Sequence, residues 1–375
     1  MSNTLGNKRI GTSRRNFLRL AGAGAAVAAA APLLAACSTP EPGAVGANGL
    51  RKYRIVLPSK DPLVVFSVSY LAEDKGFYKD EGLEIERVLL LGGPAALTGL
   101  LSGAADALIA TPGETLSAAA KGQDLTVVMG HTNSMPSTFV ISQSAADRAG
   151  VRADSPLEQR KMALGRIDNA RFGITSPGSQ TDAFTRMAIA QAGMSNSDAR
   201  IVPLQTVSNC LAALQNGDID GYVGVPPAGE QAAEQAGAVV LLTAQAGDIE
   251  GAQSLQGMTS VVKQRDLASQ KDLYEAALRA ETKAMKLLND NPDEAGALLR
   301  ETRFGTLAES VWTAAWGSLA PSLTSPIVTP VSLNAWLDNG LVDGGSVTSQ
   351  NFSTADLIDM GMVEAATNSL GWTPN

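Results

Sequence analysis

The chain has 375 residues, 45 % hydrophobic and 18 % charged, with 29 Lys+Arg against 37 Asp+Glu and one histidine. The net charge of −8 argues against nucleic acid and anionic lipid headgroups as partners, because both repel an acidic surface. Two cysteines, Cys37 and Cys210, are too few for a disulfide framework or a Cys-rich metal site.

The first segment reads as processing signals. Ser13-Arg14-Arg15-Asn16-Phe17-Leu18 resembles a twin-arginine export signature, with Arg14 and Arg15 as its core. The run Leu20 to Ala36 is apolar but poor in Leu and Ile, with Pro32 near its end. A permanent membrane span wants about 20 strongly apolar residues. The run ends in Leu34-Ala35-Ala36-Cys37, which resembles a lipobox with Cys37 as the acylated residue. Residues 1–36 therefore read as a signal peptide. The mature chain would begin at Cys37, lipid-anchored on the outer face of the cytoplasmic membrane. Its remaining 24 Lys+Arg and 37 Asp+Glu carry a net charge of −13. Residues 37–50, rich in Pro, Gly and small polar side chains, read as a flexible tether.

From Tyr53 the pattern alternates strand and helix. Strands are predicted at Tyr53–Leu57, Leu83–Leu91, Ala107–Ala110, Leu125–Gly130 and Thr138–Ser142, with helices at Val64–Phe77 and Pro94–Ser102. A polar stretch, residues 143–169, interrupts the alternation. The pattern then restarts. Phe172–Thr175, Ala199–Leu204 and Gly221–Val225 read as strands, and Thr181–Ala192 and Ser208–Gln215 as helices. The two halves repeat. Leu97, Leu100, Gly103, Asp106 and Pro112 match Leu211, Leu214, Gly217, Asp220 and Pro226 at a constant offset. Two copies of one βαβαβ unit explain this. Later, Trp312 and Trp316 fall four apart beside Val311, Ala315 and Leu319, a stripe read as core packing.

In parallel α/β sheets, ligands lie beyond the carboxyl ends of strands. Four segments occupy such places: Pro58–Pro62, Gly92–Pro94, Thr111–Glu114 and Ser176–Thr181. The candidate ligand-binding set is Ser59, Asp61, Gly92, Gly93, Thr111, Glu114, Asn133, Ser176, Ser179, Gln180, Thr181 and Pro226. No catalytic, metal or cofactor motif is present: there is no C-x-x-C, H-E-x-x-H, G-x-S-x-G or Walker loop. His131 reads as structural, and Cys210 as a small buried hydrophobe.

The run Ala72-Glu73-Asp74-Lys75-Gly76-Phe77-Tyr78-Lys79-Asp80-Glu81-Gly82-Leu83-Glu84-Ile85 resembles a segment of the nitrate/sulfonate/taurine family of ABC-transporter solute-binding proteins. The relatives that bind thiamine pyrimidine precursors belong to the same superfamily. Gly92-Gly93, Leu101–Asp106 and Gly173–Ser179 fall in family order. The resemblance covers Tyr53 to Val262 well and the helical remainder loosely. It implies an α/β, two-lobed type II periplasmic-binding fold, each lobe a mainly parallel sheet flanked by helices. Residues 51–136 and 258–375 would form lobe 1, and 137–257 lobe 2. Two hinge crossings are expected near Met135–Phe139 and Gly257–Val261. The implied role is a monomer that closes on a small solute and delivers it to the transmembrane subunits of an ABC permease, touching the membrane only through its lipid. Two alternatives come with the resemblance: an enzyme like the fungal pyrimidine synthases, whose Cys-rich motif is missing here, and a lipoprotein that presents ligand to a membrane sensor.

The solute's charge is the open point. The helix start at Ser179–Thr181 suits an electronegative group. Asp61, Glu114 and Asp182 beside it suit an amine, and Lys60 and Arg186 are the nearby cations.

Overall fold

The structure is a computed structural model that describes residues 43–374. The export and lipidation signals, including Arg14, Arg15 and Cys37, lie outside the described residues. So does most of the tether. Its end, residues 43–50, folds back on the first strand. Lys52 N donates to Ala44 O at 3.0 Å, and Asn48 Nδ2 donates to Glu84 Oε1 at 3.2 Å.

Among the described residues, ten strands form two sheets. In chain order they are β1 Arg51–Leu57, β2 Leu83–Leu89, β3 Ala107–Ala110, β4 Thr126–Gly130, β5 Thr138–Ile141, β6 Arg171–Ile174, β7 Arg200–Pro203, β8 Gly221–Gly224, β9 Val239–Thr243 and β10 Thr259–Val262. The first sheet has the order β2-β1-β3-β10-β4 and the second β7-β6-β8-β5-β9. Each runs parallel except for one strand, β10 in the first and β5 in the second. Strands β3, β5, β8 and β10, and the edge strand β4, are buried along their whole length, as expected of a sheet covered by helices on both faces.

The two sheets are copies of one design, and the repeated Asp shows why it recurs. Asp106, just before β3, accepts from the backbone N of Arg54 at 2.8 Å and from its Nη2 at 2.6 Å. Arg54 Nη1 donates to Gly103 O at 2.9 Å. In the second sheet Asp220, just before β8, accepts from Arg171 N at 2.8 Å, and Arg171 Nη2 donates to Gly217 O at 2.9 Å. Each Asp thus ties the start of its own strand to an Arg on the parallel neighbour, mid-strand at Arg54 and at the strand start at Arg171. Each Gly, with φ of 81° at Gly103 and 75° at Gly217, adopts the left-handed conformation that ends the preceding helix.

The chain passes from the first sheet to the second between Gly130 and Thr138, and returns between Thr243 and Thr259. These two connectors lie side by side. Gly257 N donates to Thr132 O at 3.1 Å, and Met258 N donates to Thr132 Oγ1 at 2.8 Å. A Cβ on Gly257 would stand 2.0 Å from Thr132 Oγ1, so the contact needs glycine. The first expected crossing, Met135–Phe139, falls at the entry to β5. The second, Gly257–Val261, spans the end of the return connector and the start of β10.

The polar stretch 143–169 folds into helices Gln143–Ala149 and Leu157–Lys161. Ser142 Oγ caps the first by accepting from Ala145 N at 3.1 Å, and Gly150 ends it at φ 67°. Its buried face is Ala145, Ala146 and Ala149; such small side chains carry little hydrophobic pattern. The helices that follow β10 include the stripe of Val311, Trp312, Ala315 and Leu319, all buried. The Trp312 and Trp316 rings stack at 5.5 Å. No helix among the described residues is long and apolar enough to cross a membrane.

The Arg54 and Asp106 side chains are only 6 % and 1 % exposed. Removing one partner of such a buried pair strands the other charge, at about 3–5 kcal/mol. Asp220 faces Arg148 and Arg171, whose side chains are 46 % and 38 % exposed, so water can take over its role. Asp106→Ala should therefore lower the urea unfolding midpoint clearly more than Asp220→Ala. Equal losses would contradict the assignment of these pairs.

Candidate ligand-binding site

Loops at the carboxyl ends of strands from both sheets meet around a cavity of about 50 Å³. After β1 come Pro58 and Ser59, after β2 Gly92 and Gly93, and after β3 Thr111 and Glu114. The second sheet supplies Thr175, Ser179, Gln180 and Thr181 after β6, Gln205 and Thr206 after β7, and Val225 after β8. Leu63, Phe66, Val207 and Met258 complete an apolar wall. This is where parallel sheets place ligands.

Glu114 sits where the two halves meet. It is 8 % exposed. Thr111 Oγ1 donates to its Oε2 at 3.1 Å, and Ser176 Oγ, from the opposite sheet, donates to its Oε1 at 3.3 Å. Burial pushes its carboxyl up to about 7, a rise that the two hydroxyls moderate and nearby Asp182 adds to. One glycine makes room for it and another lets its helix approach the opposite loop. A Cβ on Gly93 would stand 1.8 Å from Glu114 Oε1, and one on Gly113 would stand 2.2 Å from Gly178 O. Gly92, at φ 81° and ψ 157°, occupies backbone space that is essentially glycine's alone.

The helix Gln180–Gln191 starts at the opposite wall, and part of its donor set is occupied from within. Ser179 Oγ accepts from Asp182 N at 3.3 Å, and Asp182 Oδ2 accepts from Gly178 N at 2.8 Å. Arg186 Nε lies 2.8 Å from Asp182 Oδ1. Thr181 Oγ1 accepts from Thr175 N at 2.9 Å and shares hydrogen bonds with the hydroxyls of Thr175 and Ser179. Gln180 is different. Its Nε2 donates to Pro136 O at 3.0 Å and to Ser137 Oγ at 2.7 Å, while its Oε1 is buried with no partner.

Of the twelve residues expected from sequence, Ser59, Gly92, Gly93, Thr111, Glu114, Ser179, Gln180 and Thr181 line this cavity. Ser176 stands behind it on Glu114. The other three lie elsewhere, in bracing roles. Asp61 Oδ2 accepts from Ser208 Oγ at 2.7 Å, joining the two halves at the rim. Pro226 O accepts from Val64 N at 3.1 Å. Asn133 Oδ1 accepts from Thr324 N and Ser325 N at 3.0 and 2.8 Å, pinning the C-terminal region to the first connector. Sequence reasoning missed Phe66, Leu63 and Met258, whose pattern reads as core or connector. It also missed Gln205 and Thr206, which follow a short edge strand and carry no motif. His131 is fully buried, 2.8 Å from Ser260 Oγ, and does not line the cavity. Burial pushes the Cys210 thiol up to about 12, which leaves it unreactive.

A carboxyl held near 7 against an ordinary value of 4.5 opposes folding once it ionises. The sign follows from the upward shift: the native state favours the protonated form. That advantage is complete below about 4.5 and is lost as pH rises through about 7, a change of roughly 3 kcal/mol. Glu114→Gln keeps the neutral shape. Ligand-free, it should match the wild type in urea unfolding at pH 4.5 and exceed it by up to about 3 kcal/mol at pH 8. Parallel stability profiles for the two proteins would contradict the burial of this carboxyl.

Residues 64–310 match the NMT1-like family. No curated protein matches the sequence. Among solved structures, a protein from Bordetella bronchiseptica RB50 is similar at 21 % identity and a TM-score of 0.71, over 85 % of this chain and 98 % of that one. The alkanesulfonate-binding protein SsuA from Xanthomonas axonopodis pv. citri, bound to MOPS, is similar at 17 % identity and a TM-score of 0.65, over 83 % of this chain and 98 % of that one. The periplasmic nitrate-binding protein NrtA from Synechocystis PCC 6803 is similar at 12 % identity and a TM-score of 0.63, over 86 % of this chain and 89 % of that one. Such identities speak for the fold alone. With the family match spanning well over half of its length, the chain belongs to the NMT1-like family and has the two-sheet α/β fold of periplasmic binding proteins.

Proposed function

We propose that this chain is the extracytoplasmic solute-binding component of an ABC-type importer, a monomer that encloses a small polar solute and hands it to membrane permease subunits. The observation that carries this reading is the cavity itself. Its wall comes from strand-end loops of both sheets, and only two adjacent connectors join those sheets in sequence. Residues 51–136 with 258–375 would move as one lobe and 137–257 as the other, about the connectors. The similar structures that bind an alkanesulfonate or nitrate support a solute-binding role for the fold. Among the described residues, Glu114 is the only titratable side chain in the cavity wall. With hydroxyls and apolar groups around it and no second titratable side chain in the wall, binding is better supported than the synthase-like chemistry of the alternative. The twin-arginine and lipobox signals would deliver the folded protein to the outer face of the membrane and anchor it at Cys37.

A screen of small sulfonates, nitrate, pyrimidines and amines by thermal shift tests the binding role. A true solute should raise the melting temperature saturably and be recovered unchanged, with a stabilisation of about 2.7 kcal/mol at a hundredfold excess over Kd. Turnover of the bound compound would overturn it. Export is tested separately: changing Arg14 and Arg15 to Lys should trap the precursor in the cytoplasm, and the mature protein should carry acyl mass at Cys37. Normal export of the variant would contradict the twin-arginine route.

A further inference from the structure

We propose, building on the solute-binding reading, that the solute presents a cationic nitrogen head, an ammonium or amidinium group, to be held by the Glu114 carboxylate and the Gln180 carbonyl oxygen. Three independent observations converge on this chemistry.

The first is charge. The cavity wall contains one carboxylate and no lysine, arginine or histidine. Of the two cations nearest in sequence, Lys60 is exposed and Arg186 is engaged by Asp182 at 2.8 Å, and neither lines the cavity. An anionic solute would meet Glu114 with no counter-charge and little water to screen the repulsion.

The second is an unmet acceptor. Gln180 is 2 % exposed, and its Oε1 has no partner. The orientation of the amide is set by its neighbours. Pro136 O can only accept, so the group facing it must be Nε2. Oε1 therefore remains as a buried acceptor in the cavity-lining residue, and it needs a donor. An N–H group supplies one; nitrate and sulfonate do not.

The third is the hydroxyl cluster at the helix start. The hydroxyls of Thr175, Ser179 and Thr181 bond one another, and Asp182 caps Gly178 N. The side-chain donors that would receive an oxyanion at this helix are thereby engaged, which leaves the backbone N–H groups of Gln180 and Thr181. The cavity of about 50 Å³ admits a small head group, and Leu63, Phe66, Val207, Val225 and Met258 line it with hydrocarbon. A solute with a nitrogen cation on an apolar stem fits both features. Binding such a cation would also draw the proton from Glu114, whose carboxyl is raised to about 7 in the free protein.

The test is calorimetry on the full chain with matched probes: butylammonium and benzamidinium, the neutral isostere benzamide, and the anions ethanesulfonate and nitrate. At pH 8 the cations should bind at least about tenfold more tightly than benzamide, and the anions should give no heat. Glu114→Gln should weaken cation binding about tenfold or more, and Gln180→Met should weaken it several-fold. At pH 6, cation binding should release about one proton, read from the dependence of the heat on buffer ionisation. Binding of ethanesulfonate or nitrate, tightened by Glu114→Gln, would overturn the proposal while leaving the solute-binding reading intact. So would equal binding of benzamide and benzamidinium that Glu114→Gln leaves unchanged. Failure of every probe, together with no hit in the wider solute screen, would overturn both.

Discussion

The site depends on one constraint: a carboxyl is buried at the seam between the two halves with no cation beside it. Glu114 reaches across from the end of β3 and is held by a hydroxyl from each side, Thr111 and Ser176. Its neighbours are shaped around it. Gly93 leaves the space the carboxyl fills, and Gly113 lets the helix that carries Glu114 touch Gly178 O of the opposite loop. Burying an ionisable group this way costs stability unless something answers the charge. Several carboxylates elsewhere among the described residues are answered by cations. Asp106 has Arg54, Asp220 has Arg148 and Arg171, and Glu81 has Arg279 and Lys283. Glu114 has no such cation, and neither has Glu230, whose carboxyl burial also raises to about 7 but which lies outside the cavity wall.

The two halves touch at points that a closing motion would make and break. Asp61 with Ser208, Glu114 with Ser176, and Val64 N with Pro226 O each join one sheet's loops to the other's. These are single hydrogen bonds, each typically contributing about 0.5–1.5 kcal/mol net. Apolar contacts add to them. The helix Glu309–Leu319 packs on the helix Ala228–Ala236 of the second half. Opening would therefore have to break a few polar contacts and slide one helix pair, while the connectors stay zipped through Thr132, Gly257 and Met258. A solute that answers the Glu114 charge and gives Gln180 Oε1 a donor would favour the closed arrangement, because there Glu114 has no counter-charge and Gln180 Oε1 no partner without it.

Much of the fold was legible from sequence because its signals are local. Gly103 with Asp106 and Gly217 with Asp220 end a helix and start a strand, so the repeat shows at one offset. Their partners were not legible. Arg54 and Arg171 lie on the preceding strands, and nothing in their own neighbourhoods marks them as bonded to the Asp. The helix Gln143–Ala149 was hidden for another reason: its buried face is alanine, so only the Ser142 cap and Gly150 signal it. At the site, strand-end position and glycine content located eight of the lining residues. Chemical type alone misplaced Asp61, Asn133 and Pro226, since a polar or rigid loop residue braces neighbouring chain as readily as it faces a cleft. The feature of Gln180 that matters most depends on Pro136 and Ser137, which engage its other atom. That contact is tertiary and has no trace in the sequence.

The most direct measurement is a carbon-detected NMR titration of the Glu114 side chain in the full chain, with Glu114→Gln used to assign its signal. The account predicts a midpoint near 7 without solute, and a fall well below that value when benzamidinium saturates the site. A midpoint near the ordinary 4.5 in the free protein, or one that benzamidinium leaves unmoved, would contradict it.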